Sequence, residues 1–226
     1  MMGSDIAPRF LARRALLAHA SLLAVLGTAG LCATVRAQGA PRTLLVVGDS
    51  LSAEYGIPRG SGWVALLEQR LQAEQPGRWR VVNASISGDT TSGGRSRLPA
   101  LLQQHRPAVV IIELGGNDAL RGLPLAMTQD NLATMTRAAK QAGARVLITG
   151  IAVPPNYGRQ YGEAFFRLFE TVARTEGAAL VPFLLAGVAD GPDAEAMFQP
   201  DRIHPKAEAH PRMLDNVWPA LRPLLR

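Results

Sequence analysis

Thr43-Leu44-Leu45-Val46-Val47-Gly48-Asp49-Ser50-Leu51-Ser52 is the stretch whose reading decides the fold. Five mostly apolar, partly β-branched residues make a run of the length of one fully buried strand, and Gly48-Asp49-Ser50 supplies the turn residues that end it. A serine is thereby held at the carboxyl end of a strand, where open α/β sheets place their chemistry. Taken alone, a serine in that position is more often the cap of the next helix. The later segments have to decide between the two.

Comparable apolar runs recur at 81–83, 109–114, 146–149 and 179–181. Segments of helical periodicity separate them: 63–73, 94–105 with Pro99 near its start, 127–142, 161–175, and 207–224 broken by Pro211 and Pro219. Gly77, Pro107, Gly143 and Gly177 mark their ends. Strands alternating with helices predict an α/β fold of three layers, α/β/α, around a five-stranded, mostly parallel sheet. With the flavodoxin-like order 2-1-3-4-5, the ligand crevice lies between the first and third strands.

The first 37 of the 226 residues read as a signal peptide rather than as part of this fold. Arg9, Arg13 and Arg14 precede an apolar run at 15–32, and Val35-Arg36-Ala37 offers the small residues that a signal peptidase cuts after. Arg13-Arg14-Ala15-Leu16-Leu17 also resembles the core of a twin-arginine signal, so two export routes stay open. Either one leads to the periplasm or the medium. Cys32 follows Leu31, where a lipoprotein signal has a small residue, and it is the single cysteine of the chain. The mature chain, 38–226, is then free of disulfides and of a thiol nucleophile, and its size suits one domain and a monomer. Its other apolar segments are too short for stable membrane insertion. Processing lowers Lys+Arg from 24 to 20 and Asp+Glu from 18 to 17, so the formal charge drops from +6 to +3. No basic run with interleaved aromatics remains, and no nucleic-acid partner is expected.

Four polar loops follow the strands. The first carries Ser50, the second is Ala84-Ser85-Ile86-Ser87-Gly88-Asp89-Thr90-Thr91, the third is Gly115-Gly116-Asn117-Asp118, and the last contains Asp201-Arg202-Ile203-His204. In these blocks, and in Asn83-Ala84-Ser85-Ile86-Ser87-Gly88-Asp89-Thr90 and Pro155-Asn156-Tyr157-Gly158, the chain resembles the SGNH (GDSL) hydrolase family. It is most similar to the family's bacterial exported thioesterase, lysophospholipase and arylesterase branch, from about Thr43 to the carboxyl terminus. Glu54 departs from that pattern, which usually has glycine after Ser-Ala, and the change falls at the lip of the pocket.

The resemblance implies a catalytic triad of Ser50, Asp201 and His204. The residue types suit the chemistry: a serine hydroxyl needs an imidazole to take its proton, and a carboxylate three residues earlier can fix the imidazole tautomer. An oxyanion hole is implied at the backbone N–H groups of Ser50 and Gly88 and the side-chain amide of Asn117, where acyl transfer develops negative charge. His105 reads instead as a favourable charge at a helix end, and His210 lies outside the Asp201 spacing. Asp49, Asp89 and Asp118 read as braces of their turns. They are not accompanied by the histidine pair or dense acidic loop of a metal site, and the glycine-rich turns match neither nucleotide fingerprint, so no metal or cofactor is expected.

The expected activity is hydrolysis of acyl esters and thioesters through an acyl-enzyme, with Leu120, Leu123, Pro155 and Tyr157 as candidate substrate-binding residues. For an exported enzyme, lysophospholipids and other small acyl esters are the expected substrates. The competing readings are a carbohydrate acetylesterase with the same catalytic parts and a non-catalytic lipid-binding protein of the same fold.

Overall fold

Leu44 and Val46 of β1 (Arg42–Gly48) enter one hydrophobic core and Leu45 and Val47 enter another, and all four are fully buried. A strand buried on both faces needs a neighbour at each edge and a helical layer on each side. β2 (Trp79–Asn83) pairs with one edge and β3 (Val109–Glu113) with the other, both in parallel. β4 (Arg145–Thr149) and β5 (Ala179–Val181) extend the sheet beyond β3. The result is a five-stranded parallel sheet in the order β2-β1-β3-β4-β5, as the sequence predicts. The computed structural model describes residues 40–226, so the expected leader lies outside the described residues.

Helices α1 (Trp63–Glu74) and α7 (His210–Leu221) cover the face of Leu44, Val46 and Ile111 with Leu67, Leu71, Met213 and Val217. The opposite face, with Leu45, Val47 and Ile112, is covered by α2 (Thr91–His105), α4 (Leu125–Gln141) and α5 (Arg159–Glu176) through Leu98, Leu132, Met135, Phe165 and Phe169. Each such side chain contributes roughly 1.5–3 kcal/mol when fully buried. The two cores clamp the strands and leave their carboxyl ends free for loops.

The structure moves the start of α2 and adds two short helices. α2 starts at Thr91 rather than at residue 94, so Pro99 lies inside the helix and not near its start. Thr90 caps it by accepting the Gly93 N–H at 3.2 Å. Gly93-Gly94 has poor helix propensity, yet a Cβ at Gly94 would lie 2.3 Å from Leu114, so close packing on β3 overrides propensity there. The glycine-rich loop after β3 winds into a short helix, α3 (Gly116–Leu120). A second short helix, α6 (Ala194–Met197), precedes the last loop. Pro211 falls in the first turn of α7, where a missing N–H costs nothing, and Pro219 lies inside α7 without ending it.

Candidate active site

Gly48 and Glu113 are register partners at the ends of β1 and β3, and immediately beyond them the chain turns tightly. The N–H groups of Ser52 and Ala53 both donate to the Asp49 carbonyl, at 3.2 and 3.0 Å. Position 48 has no room for a side chain: a Cβ would lie 2.8 Å from Glu113 Oε2 and 2.9 Å from the hydroxyls of Ser52 and Ser85. Ser50 leaves this turn half-buried, with its Oγ 2.8 Å from His204 Nε2. Across the ring, His204 Nδ1 is 2.7 Å from Asp201 Oδ2. The other Asp201 oxygen accepts the backbone N–H groups of Ile203 and His204 at 2.9 and 3.0 Å. Burial opposes ionisation of Asp201, but the hydrogen bonds from His204 and Ile203 outweigh it and hold the carboxyl at about 2. A carboxylate there accepts from Nδ1–H, which leaves Nε2 as the acceptor facing the serine.

The backbone N–H groups of Ser50 and Gly88 donate to no protein group among the described residues. Gly88 has φ +80, a conformation that excludes most side chains, and its carbonyl is held by Arg121 Nη2 at 2.7 Å. Asn117, on α3, donates one amide N–H to Asp49 Oδ2 at 3.0 Å and keeps a second. Thus Ser50, Asp201 and His204 form one hydrogen-bonded chain. Gly88 and Asn117 lie on the adjoining loops after β2 and β3.

Beneath the serine, Asp49, which braces its turn as expected, meets a second buried carboxyl, Glu113, that sequence reasoning missed. Glu113 Oε2 accepts the Asp49 N–H at 3.3 Å and the Ser52 hydroxyl at 2.7 Å, and Asp49 Oδ1 accepts the Leu51 N–H at 3.0 Å. Burial raises Asp49 to about 6; burial, and then the Asp49 charge, raises Glu113 well above the carboxylate range. The signal for Glu113 was an acid closing an otherwise apolar strand. Both carboxyls hold protons more tightly folded than unfolded, so they favour the fold below about pH 4 and lose that contribution as pH rises through their elevated values. Asp201, held low, acts only below this window. The contribution of this pair to stability is therefore expected to decline from about pH 4 upward. Glu113→Gln should flatten the decline by up to about 1.4 kcal/mol per pH unit, as read from denaturant melts across pH. An unchanged slope in the variant would refute the elevated Glu113.

The other acids brace their turns. Asp89 accepts from Thr90 N–H and Arg97 Nε at 2.9 and 2.8 Å. Asp118, fully buried, accepts the Thr91 N–H at 2.8 Å and the hydroxyls of Thr91 and Thr128. Arg97, which no spacing singled out, also donates to the carbonyls of Gly48 and Ala84 and ties the first two loops together.

His210 is committed to other partners. It is buried, burial lowers its pKa, and its Nδ1 accepts the Trp63 N–H at 3.0 Å, so a neutral imidazole caps α1. His105 ends α2 as expected.

Of the candidate substrate-binding residues, Leu120 is exposed at the end of α3 and Leu123 is half-buried beyond it. Pro155 and Tyr157 bound a single 3-10 turn after β4. Tyr157 stacks on Tyr161 at 6.3 Å and starts an aromatic column running through Phe165 to Phe169. Neither of two clefts, of about 310 and 330 Å³, is lined by Leu120, Leu123, Tyr157 or Ser50.

Residues 46–212 match the GDSL-like lipase/acylhydrolase family. The chain is 56% identical over 188 residues to esterase TesA of Pseudomonas aeruginosa, covering 83% of this chain and 92% of that one. To thioesterase 1/protease 1/lysophospholipase L1 of Escherichia coli it is 43% identical over 192 residues, covering 85% and 88%. The crystal structure of TesA superposes with a TM-score of 0.77, over 81% of this chain and 99% of that chain at 56% identity. With three quarters of its length inside that family match, the chain belongs to the GDSL-like lipase/acylhydrolase family and is a serine ester hydrolase.

Proposed function

We propose that this hydrolase cleaves small acyl esters and thioesters, lysophospholipids among them, through an acyl-enzyme on Ser50. The observation that carries the reading is the unbroken hydrogen-bonded chain from Ser50 Oγ through the His204 ring to Asp201. In acylation, His204 Nε2 takes the hydroxyl proton as Ser50 Oγ bonds to the carbonyl carbon. The same proton passes to the leaving oxygen or sulfur as its bond to carbon breaks. Water then repeats the sequence, donating its proton to His204 and releasing the acid. Asp201, an anion throughout, stabilises the imidazolium that forms in each half. Ser50 N–H, Gly88 N–H and the free amide N–H of Asn117 receive the oxyanion.

A fluorophosphonate probe tests the core of this reading, since it reacts with an activated serine and not with an ordinary one. Labelling mapped to Ser50 is expected; a folded protein that stays unlabelled refutes it and favours a binding protein. Asn117→Ala is expected to lower kcat about 10²-fold to 10³-fold with KM nearly unchanged, the pattern of a lost oxyanion donor. A rise in KM at constant kcat would make Asn117 a ground-state binding group instead.

Export is part of the same proposal. Among the described residues no helix is long and apolar enough to cross a membrane. The arginines, the apolar run and Val35-Arg36-Ala37 support a mature chain starting at Gln38, close before β1. N-terminal sequencing of periplasmic or secreted protein checks this. Full-length protein in the cytosol would refute export and bring acyl-CoA thioesters within reach as substrates.

A further inference from the structure

Glu54 is one of three non-glycine residues with positive φ among the described residues, at +59. A left-handed glutamate is uncommon and persists where its surroundings hold it. Here the side chain does the holding: Oε1 accepts the N–H groups of Gly60 and Gly62 at 2.9 and 2.8 Å, closing the loop between Ser50 and α1 on itself. Tyr55 is the next residue in that loop. Its ring lies 4.4 Å from the His204 ring, centroid to centroid, tilted by 40°. Its carbonyl accepts Gln199 Nε2 at 2.9 Å, the same nitrogen donates to the Pro205 carbonyl at 3.1 Å, and the Gln199 N–H donates to the His204 carbonyl at 2.8 Å. The serine loop and the histidine loop are thus strapped together at Tyr55.

Even so, Tyr55 remains 50% exposed and Ile203, beside His204, 42% exposed. The Tyr55 ring is thus a large apolar surface facing solvent next to the imidazole. Proton delivery requires the leaving oxygen to come within about 2.6–3.2 Å of His204 Nε2. Whatever is attached to that oxygen then lies against the residues around the ring, while the carbonyl oxygen points to the donors of Gly88 and Asn117.

From this placement we infer that Tyr55 is the leaving-group wall of the site, selecting esters whose alcohol is flat and apolar, and that Glu54 is the positioning residue that sets the wall. The inference rests on the hydrolase reading above and refines it: among the substrates proposed there, aryl esters rank above lysophospholipids, whose leaving alcohol is polar. A flat aromatic alcohol covers the Tyr55 ring, whereas a sugar meets it with unmatched polar groups and a short alkyl group leaves it uncovered. Glu54 thereby has a function at a position where the sequence departs from the pattern of the branch it resembles.

The test separates leaving-group recognition from alignment of His204. Phenyl butyrate and ethyl butyrate give the same butyryl-enzyme, so the leaving group affects acylation alone, whereas His204 serves acylation and deacylation alike. Fluorophosphonate labelling of the parent at Ser50 is established first, so that failure of the hydrolase reading is seen separately. Tyr55→Ala is expected to lower kcat/KM for phenyl butyrate about 10-fold to 10²-fold, and for ethyl butyrate by less than about 3-fold. Decay of the butyryl-enzyme, followed by mass spectrometry, should keep the parental rate. Glu54→Gly should lose the same preference in part, and Glu54→Gln, which keeps an acceptor oxygen for Gly60 and Gly62, should restore it. Tyr55 is half exposed, so its truncation removes little packing, and a thermal melt verifies the fold. Equal losses on both esters together with slower deacylation would show that Tyr55 acts only through His204, and an unchanged preference would show that it is no wall; either result overturns the inference.

Discussion

Ser50→Ala is expected to abolish ester hydrolysis, lowering kcat on the order of 10⁴-fold to 10⁶-fold, with no change in fold. The size follows from the position of the atom removed. Ser50 Oγ is hydrogen-bonded to His204 Nε2 at 2.8 Å, and without it the imidazole has no nucleophile to activate. Water can in principle occupy the space left by the hydroxyl, but it is not covalently held in attack geometry, so the effective-concentration advantage is lost. Stability should hardly move, because the side chain is half-buried and lost packing amounts to one oxygen. The measurement is kcat on p-nitrophenyl butyrate with a denaturant melt on the same preparation. A variant within tenfold of the parent, free of contaminating esterase, would remove Ser50 from the mechanism.

The strand that presents Ser50 was legible because burial on both faces of β1 demands the continuous apolar run at 43–47, and a turn must follow it. Parallel pairing was legible for a related reason, as each apolar run is followed by a helix that returns the chain to the end at which the run began, and the flavodoxin-like order expected for such a sheet is the one found. Other features depend on tertiary register, which no local pattern carries. Glu113 matters only because it stands opposite Gly48, and the start of α2 depends on Gly94 meeting Leu114. Tyr55 reaches His204 from the far end of the sequence. The apolar loop residues were the least legible: a loop leucine or tyrosine serves equally well against substrate or against protein, and Tyr157 was found stacked on Tyr161. Glu54 read as a perturbation of the lip, whereas its carboxylate closes the loop.

His204→Ala is expected to cost nearly as much as Ser50→Ala, and the double variant little more than either, since proton and nucleophile are handled by one unit and the second loss removes nothing still working. His210→Ala should differ in kind. His210 is 2% exposed and caps α1 through the Trp63 N–H, so its truncation leaves a buried donor unpaired and a space in the core beneath α7. The loss of the cap alone is worth about 0.5–2 kcal/mol, and it should appear in the melt rather than in kcat per folded molecule. Residual activity should therefore sort the two histidines cleanly: an active, less stable His210 variant and an inactive, folded His204 variant. Two sequence features give the same ranking, the Asp201 spacing and the position of His210 six residues past His204, but the structure alone supplies the reason the second imidazole is unable to serve. With Nδ1 accepting the Trp63 N–H, the other ring nitrogen donating to the Pro205 carbonyl, and burial outweighing the Glu54 charge to favour the neutral ring, His210 has no free nitrogen with which to take a serine proton. If the His210 variant lost catalysis at full stability while the His204 variant kept it, the roles assigned to the two rings would be reversed.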